Sequence, residues 1–211
     1  MQSRGRLWDL IERTSWLDWL LLTKRPENMV PLATAWAGGA WPENVSAMTS
    51  VENQKAADER VHHLLRVPTR VRGLSCEPLL GMVSLDAWIG PDTEDEPPAL
   101  HWIIVGGESG TNARPMHPQW ARSLRDQAQA ARVNFFFKQW GEWGPWPDAV
   151  PFNERVEVFQ WPTTFHDGEH WKTRYEPHYR VGKAHAGRLL DGIEWNEVPE
   201  PLIAVAREEC G

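Results

Sequence analysis

Eleven residues combine charge or backbone freedom with a place at which an apolar run of the chain stops: Lys24 and Arg25, Glu52 and Asn53, Glu77, Gly106, Gly107, Glu108 and Ser109, Lys138 and Gln139. Charged side chains are kept at the mouth of a buried strand when they are paired or used. Three carboxylates and three cations converging on one rim are the residue types that hold a polar ligand carrying charges of both signs. The same charges can instead neutralise one another in a network that orders the rim and touches no ligand. Gly106-Gly107 admits two readings as well, a backbone cradle for phosphate or a tight turn, and it matches neither a P-loop nor a full dinucleotide fingerprint.

The elements that must position these residues follow from periodicity. The apolar runs at 17–23, 44–51, 69–75, 102–106 and 133–137 start about 25 to 35 residues apart, the period of consecutive βα units in a parallel sheet. Between them lie helical patterns: Pro26 with Met29, Val30, Leu32 and Ala33; Ala56, Ala57, Val61, Leu64 and Leu65, with Asp58, Glu59 and Arg60 on the wet face; and Trp120, Ala121, Leu124, Ala128 and Ala131 after His117-Pro118. In such architectures ligands bind at the carboxyl ends of the strands, where all eleven residues fall.

A full eight-stranded barrel takes about 250 residues, and the repeating part here spans about 140. The expected fold is therefore α/β, a partial (β/α) barrel or open parallel sheet of about five βα units over residues 1–141. The chain opens on a helix at Leu7 to Glu12 with no strand before it, so the first units of the barrel are expected outside this chain, leaving an edge to be covered by the tail or a partner. Residues 142–211 form an irregular, Trp-rich extension packing on that core, with a hairpin around Asp191-Gly192 and a terminal helix from Leu202 to Glu209. Gly38-Gly39 closes the first βα unit, and the acidic, proline-rich stretch 90–98 reads as a surface loop.

Composition narrows the function classes. The chain has 211 residues and a formal net charge of -7, which argues against broad charge-driven binding to nucleic acid while leaving room for a local basic groove. Cys76 and Cys210 are the two cysteines, so neither a disulfide framework nor a cysteine metal site is read, and a cytoplasmic setting is expected. No apolar run reaches the length of a membrane span. His166 and His170 stand four apart, but Gly168 between them argues against a helix presenting both to zinc; these two, with His178 and His185, read as surface histidines. Cys76 lacks the nearby cation or histidine in the sequence that would activate a thiolate.

Five motifs in order, Leu22-Thr23-Lys24-Arg25-Pro26-Glu27-Asn28, Ser50-Val51-Glu52-Asn53-Gln54, Glu77-Pro78-Leu79-Leu80-Gly81, Val105 to Gly110 with Ala113-Arg114-Pro115-Met116, and Phe136 to Gly141, together with Gly187 to Gly192, resemble a phage-associated, three-cysteine-motif family of unknown function. The resemblance covers nearly the whole chain. It implies a radical S-adenosylmethionine-like barrel in which a C-x6-C-x2-C-Tyr segment holds an iron-sulfur cluster, with S-adenosylmethionine as the second cofactor of complete members. This chain has no such segment and thus departs from the pattern. The expectation is the carboxyl-terminal part of such a protein, truncated at its amino terminus, inactive alone and completed by a separate half or partner. The alternative is a non-catalytic binding or assembly protein that retains the half barrel.

Overall fold

The computed structural model describes residues 2–35, 41–89, 99–145, 156–166, 168–200 and 202. The first helix, α1 (Gln2–Arg13), leads to β1 (Trp19–Thr23), a 3-10 turn over Pro26–Asn28 and α2 (Met29–Ala35). Then come β2 (Val45–Ser50), α3 (Gln54–Leu64), β3 (Arg72–Cys76), β4 (Trp102–Gly106), α4 (Pro118–Ala130) and β5 (Asn134–Gln139). The five strands form one parallel sheet in the order β1-β2-β3-β4-β5. Each strand is laid beside its predecessor without the reversal of a doubly wound sheet, the order expected of a barrel sector.

Helix starts are set locally. Asn53 caps α3 by accepting the Ala56 amide at 3.0 Å, and His117 caps α4 by accepting the Gln119 amide at 3.0 Å, with Pro118 pre-shaped for the first turn. The helices bury their apolar stripes, among them Ala57, Val61 and Leu64 of α3 and Ala121, Leu124 and Ala128 of α4, on one face of the sheet. There they meet Val45, Ala47, Leu74, Ile103, Val105, Phe135 and Phe137. Strand alternation turns Leu20, Leu22, Ser46, Ser50, Gly73 and Ser75 to the other face. Gly73 leaves room there for Met48, whose Cε would lie 2.9 Å from a Cβ at that position.

The two edges of the sheet differ. Residues 195–197 run antiparallel beside β5, with the Phe137 amide donating to the Trp195 carbonyl at 3.0 Å and the Glu197 amide to the Phe135 carbonyl at 3.2 Å. The tail thus covers the β5 edge. Among the described residues β1 pairs with β2 alone, and its Leu20 and Leu22 are 44% and 54% exposed.

The extension is more regular than its composition suggests. Strands β6 (Trp143–Gly144), β7 (Val158–His166) and β8 (Trp171–Arg180) make an antiparallel sheet in the order β6-β8-β7. Its main feature is a ribbon of nine β7–β8 pairs, a hairpin that the sequence pattern does not announce because Pro162 and Pro177 interrupt the runs. His166 and His170 flank its turn. A short helix α5 (Lys183–Ala186) precedes the expected Asp-Gly hairpin, which joins β9 (Leu189–Leu190) to β10 (Ile193–Glu194) with positive φ at Asp191 and Gly192. Gly38-Gly39, the acidic stretch 90–98 and the expected terminal helix beyond Leu202 lie outside the described residues.

One expectation needs correction. His178 is not a surface histidine: it is 1% exposed, edge-on to Trp140 with ring centroids 5.2 Å apart. On β8 it is paired with Phe159 and packs against the core residue Trp140. Burial, which outweighs the favourable Glu176 charge, pushes its pKa down to about 4 and holds the ring neutral near pH 7.

Candidate functional site

The carboxyl ends of β1 to β5 carry three carboxylates, Glu52, Glu77 and Glu108, each in contact with a cation. Glu52, two residues beyond β2, sits between the Lys24 ammonium and the Arg60 guanidinium, which donates to Glu52 Oε2 at 2.8 Å and to the Ser50 carbonyl at 2.8 Å. Burial raises the Glu52 pKa, but the Lys24 hydrogen bond and the Arg60 charge outweigh it and hold the carboxyl below its ordinary range. The loop after β3 is tied to the same place, since the Leu80 amide donates to the Glu52 carbonyl at 2.7 Å.

Glu77 follows β3 directly. Its Oε2 accepts from Lys138 Nζ at 2.9 Å, while Oε1 is shielded from water with no hydrogen-bond partner among the described residues. Gly106 is what admits that carboxylate, because a Cβ there would lie 2.6 Å from Glu77 Oε1. Beyond β4, Glu108 is gripped in two-point fashion by Arg114, with Nε to Oε2 and Nη2 to Oε1 both at 2.8 Å, and the Arg114 amide adds a contact of 2.9 Å. The Arg114 hydrogen bond, opposed by burial, brings the Glu108 pKa down to about 2.

These groups do not share one cavity. Lys24, Glu52, Asn53, Glu108 and Arg114 line a cleft of about 500 Å³ together with Lys55, Glu59 and Arg60. Lys138 and Gln139 line a separate hollow of about 470 Å³ with Lys183 and Arg188, and Glu77, whose Oε2 meets Lys138 Nζ at 2.9 Å, lines neither. Ser109 accepts from Gln139 Nε2 at 3.2 Å. Arg25 turns away: it contacts Glu27 at 3.4 Å and lines an apolar cleft beside α1 and α2.

Gly106-Gly107 serves packing. The Gly107 amide donates to the Gln139 carbonyl at 2.9 Å and is not free to hold a phosphate, and the Gly106 carbonyl accepts the Leu79 amide at 3.0 Å. Arg60 and Arg114 are the site residues that periodicity misses. Arg60 leaves the wet face of α3 to reach back to Glu52, whereas Arg114 stands in a quoted family motif. Cys76 faces the helices, fully buried, and burial together with Glu77 and Glu52 pushes its thiol pKa up, so it is no thiolate donor. Among the described residues no group of three His, Cys, Asp or Glu side chains gathers as a metal site, and no helix is long and apolar enough to cross a membrane.

The profile of a family described as "protein of unknown function (DUF5131)" matches residues 1–199. The chain belongs to the DUF5131 family. The match takes in both the parallel sheet and the extension through β10, so the DUF5131 unit includes the ribbon as well as the rim. No curated protein and no solved structure matches this DUF5131 chain.

The Glu108–Arg114 contact yields a direct prediction. In Arg114→Gln the Glu108 carboxyl is expected to titrate near the ordinary carboxylate range instead of at about 2. Because the folded value is depressed, the stabilisation from the contact is present at neutral pH and is lost as the pH falls toward 2. A carboxyl-carbon NMR titration that left Glu108 near 2 in the variant would contradict the assignment.

Proposed function

We propose that this chain is the ligand-binding portion of a phage-associated, radical S-adenosylmethionine-like protein, with its rim facing cofactor and substrate. The observation that carries the reading is the row of carboxylate–cation contacts, Glu52 with Lys24 and Arg60, Glu77 with Lys138, and Glu108 with Arg114, at the carboxyl ends of sequentially ordered parallel strands. S-adenosylmethionine carries a sulfonium, an ammonium and a carboxylate. The cleft offers carboxylates at Glu52, Glu59 and Glu108 and cations at Lys24, Lys55 and Arg114 to meet both signs.

An iron-sulfur cluster does not fit the residues present. The sequence has two cysteines, Cys76 is an inward-facing thiol, and such a cluster takes several thiolates. In this reading the thiolates come from outside these 211 residues, in a reducing cytoplasm, and the chain is inactive by itself. The chain's own residues bind and orient the ligand.

A non-catalytic assembly role is the second reading, favoured by the β1 side of the sheet. Leu10, Trp16, Leu17, Leu20 and Leu22 are all exposed there, beside an apolar cleft of about 970 Å³. Titrating the isotope-labelled chain with S-adenosylmethionine separates the two. Amide shifts that saturate at 23–25, 52–56, 77–80 and 106–114 are expected from the enzyme reading. Absence of saturable shifts at the rim favours the assembly role.

A further inference from the structure

We propose that the hollow between the end of β5 and α5 binds a small organic phosphate, at a site separate from the rim cleft. Its volume of about 470 Å³ is that of a small-molecule pocket. Lys138 and Gln139 line it from β5, and Lys183, Ala184, Gly187 and Arg188 from α5 and the turn after it. Three of these six residues are cations and none is an acid, in a chain whose formal net charge is -7. A cluster whose sign opposes that of the whole chain is a local field that draws an anion.

The charges left uncompensated set the charge of the ligand. Lys138 is balanced by Glu77, which it reaches at 2.9 Å. Arg188 meets neutral groups: its Nη2 donates to Asn196 Oδ1, its guanidinium carbon lies 5.3 Å from the centre of the Phe136 ring, and its Nε is shielded from water with no hydrogen-bond partner among the described residues. Those contacts hold the guanidinium in place without cancelling it. Lys183, exposed at the start of α5, makes no ion pair or hydrogen bond among the described residues. Glu142 stands beside Gly182, but its Oε1 accepts the Gly110 amide at 3.1 Å and it does not line the hollow. Glu194 is engaged by Asn196 Nδ2 at 3.0 Å. Two positive charges therefore remain, matching the roughly -1.5 to -2 of a phosphate monoester near pH 7, and the Arg188 fork suits phosphate oxygens. Gln139 adds a neutral donor, since its Nε2 gives one hydrogen to Ser109 and keeps a second. Ala184, Gly187 and the methylene stems of the lysines leave apolar wall for the body of the ligand. The proposal does not depend on radical chemistry at the rim.

The test titrates the isotope-labelled full chain with phenyl phosphate, inorganic phosphate and benzenesulfonate near pH 7, following amide shifts. Saturable shifts at 138–139 and 183–188 are expected, with phenyl phosphate the tightest of the three. Inorganic phosphate lacks the apolar body, and benzenesulfonate lacks the second charge. Lys183→Glu should weaken phenyl phosphate binding by about 10-fold or more, because a charged donor is lost and a repulsion replaces it. Arg66→Glu makes the same change in net charge just past α3, toward the amino-terminal ends of the strands, and should bind within about 2-fold of the parent. Both side chains are exposed, so both melting temperatures should match the parent. No saturable shifts at these residues, shifts confined to 52–56 and 106–114 in the rim cleft, or equal affinity for either comparison anion would overturn the proposal. A folded Lys183→Glu protein that binds like the parent, or an Arg66→Glu protein weakened as much as Lys183→Glu, would overturn it as well. Failure of S-adenosylmethionine to bind at the rim would leave it standing.

Discussion

Gly107→Ala is expected to lower the stability of the protein by more than about 4 kcal/mol, or to prevent folding outright. A Cβ at this position would lie 1.7 Å from the Trp140 carbonyl oxygen and 2.6 Å from its carbon, inside any allowed contact. Trp140 cannot retreat. Its amide donates to the Gly187 carbonyl at 3.1 Å, its indole to the Leu189 carbonyl at 2.8 Å, and its ring packs edge-on to Phe137. The approach is mutual, because Gly141, with φ of +89°, would place a Cβ 2.1 Å from the Glu108 carbonyl oxygen. The loops after β4 and β5 therefore meet backbone to backbone, and this contact aligns the Glu108 and Lys138 sides of the rim. Urea unfolding followed by tryptophan fluorescence measures the effect. The control is Gly5→Ala, where nothing lies within 4 Å of the added methyl and no loss is expected. A Gly107→Ala protein within about 0.5 kcal/mol of the parent would refute the packing role.

Glu52→Ala is expected to cost about 2 to 3 kcal/mol, somewhat less than breaking a fully buried ion pair. The Glu52 carboxylate is 11% exposed and the Arg60 side chain 20%, so truncation strands a mostly buried guanidinium. The double variant Glu52→Ala/Arg60→Ala should lose less than the sum of the single losses, since it leaves no mostly buried guanidinium without its carboxylate, and the Lys24 side chain, 61% exposed, stays hydrated. The pH dependence has a fixed sign. The Glu52 pKa is depressed in the fold, so its contribution is present above the ordinary carboxylate range and disappears as the pH falls through the folded value. Parent and Glu52→Ala curves of stability against pH should converge in acid. Additive losses in the double variant would mean that Glu52 and Arg60 do not act as a pair.

Much of the fold is legible in the sequence because burial leaves a period. Five apolar runs at βα spacing give the parallel sheet in its observed order, and Asp191-Gly192 gives the hairpin because its turn takes positive φ. The β7–β8 ribbon is not legible, because Pro162 and Pro177 break its runs and its distal half buries little. At the rim, residue type predicts Glu52, Glu77 and Glu108 but not their partners. Arg60 lies eight residues from Glu52 and reaches it only because α3 folds back over the end of β2. Likewise Gly107 reads from the sequence as either a phosphate cradle or a turn. What decides the matter is its distance to Trp140, which belongs to a different strand's loop.

The central claim, that this rim belongs to a radical S-adenosylmethionine-like site completed from outside the chain, is tested most directly by reconstitution. The chain would be combined without oxygen with a polypeptide carrying the C-x6-C-x2-C-Tyr segment, supplied with iron, sulfide and a reductant, and assayed for cluster absorbance and S-adenosylmethionine cleavage. The account predicts both in the assembled pair, neither in this chain alone, and cleavage reduced at least tenfold by Lys24→Met at unchanged cluster absorbance. An assembled pair with neither a cluster nor cleavage would contradict it.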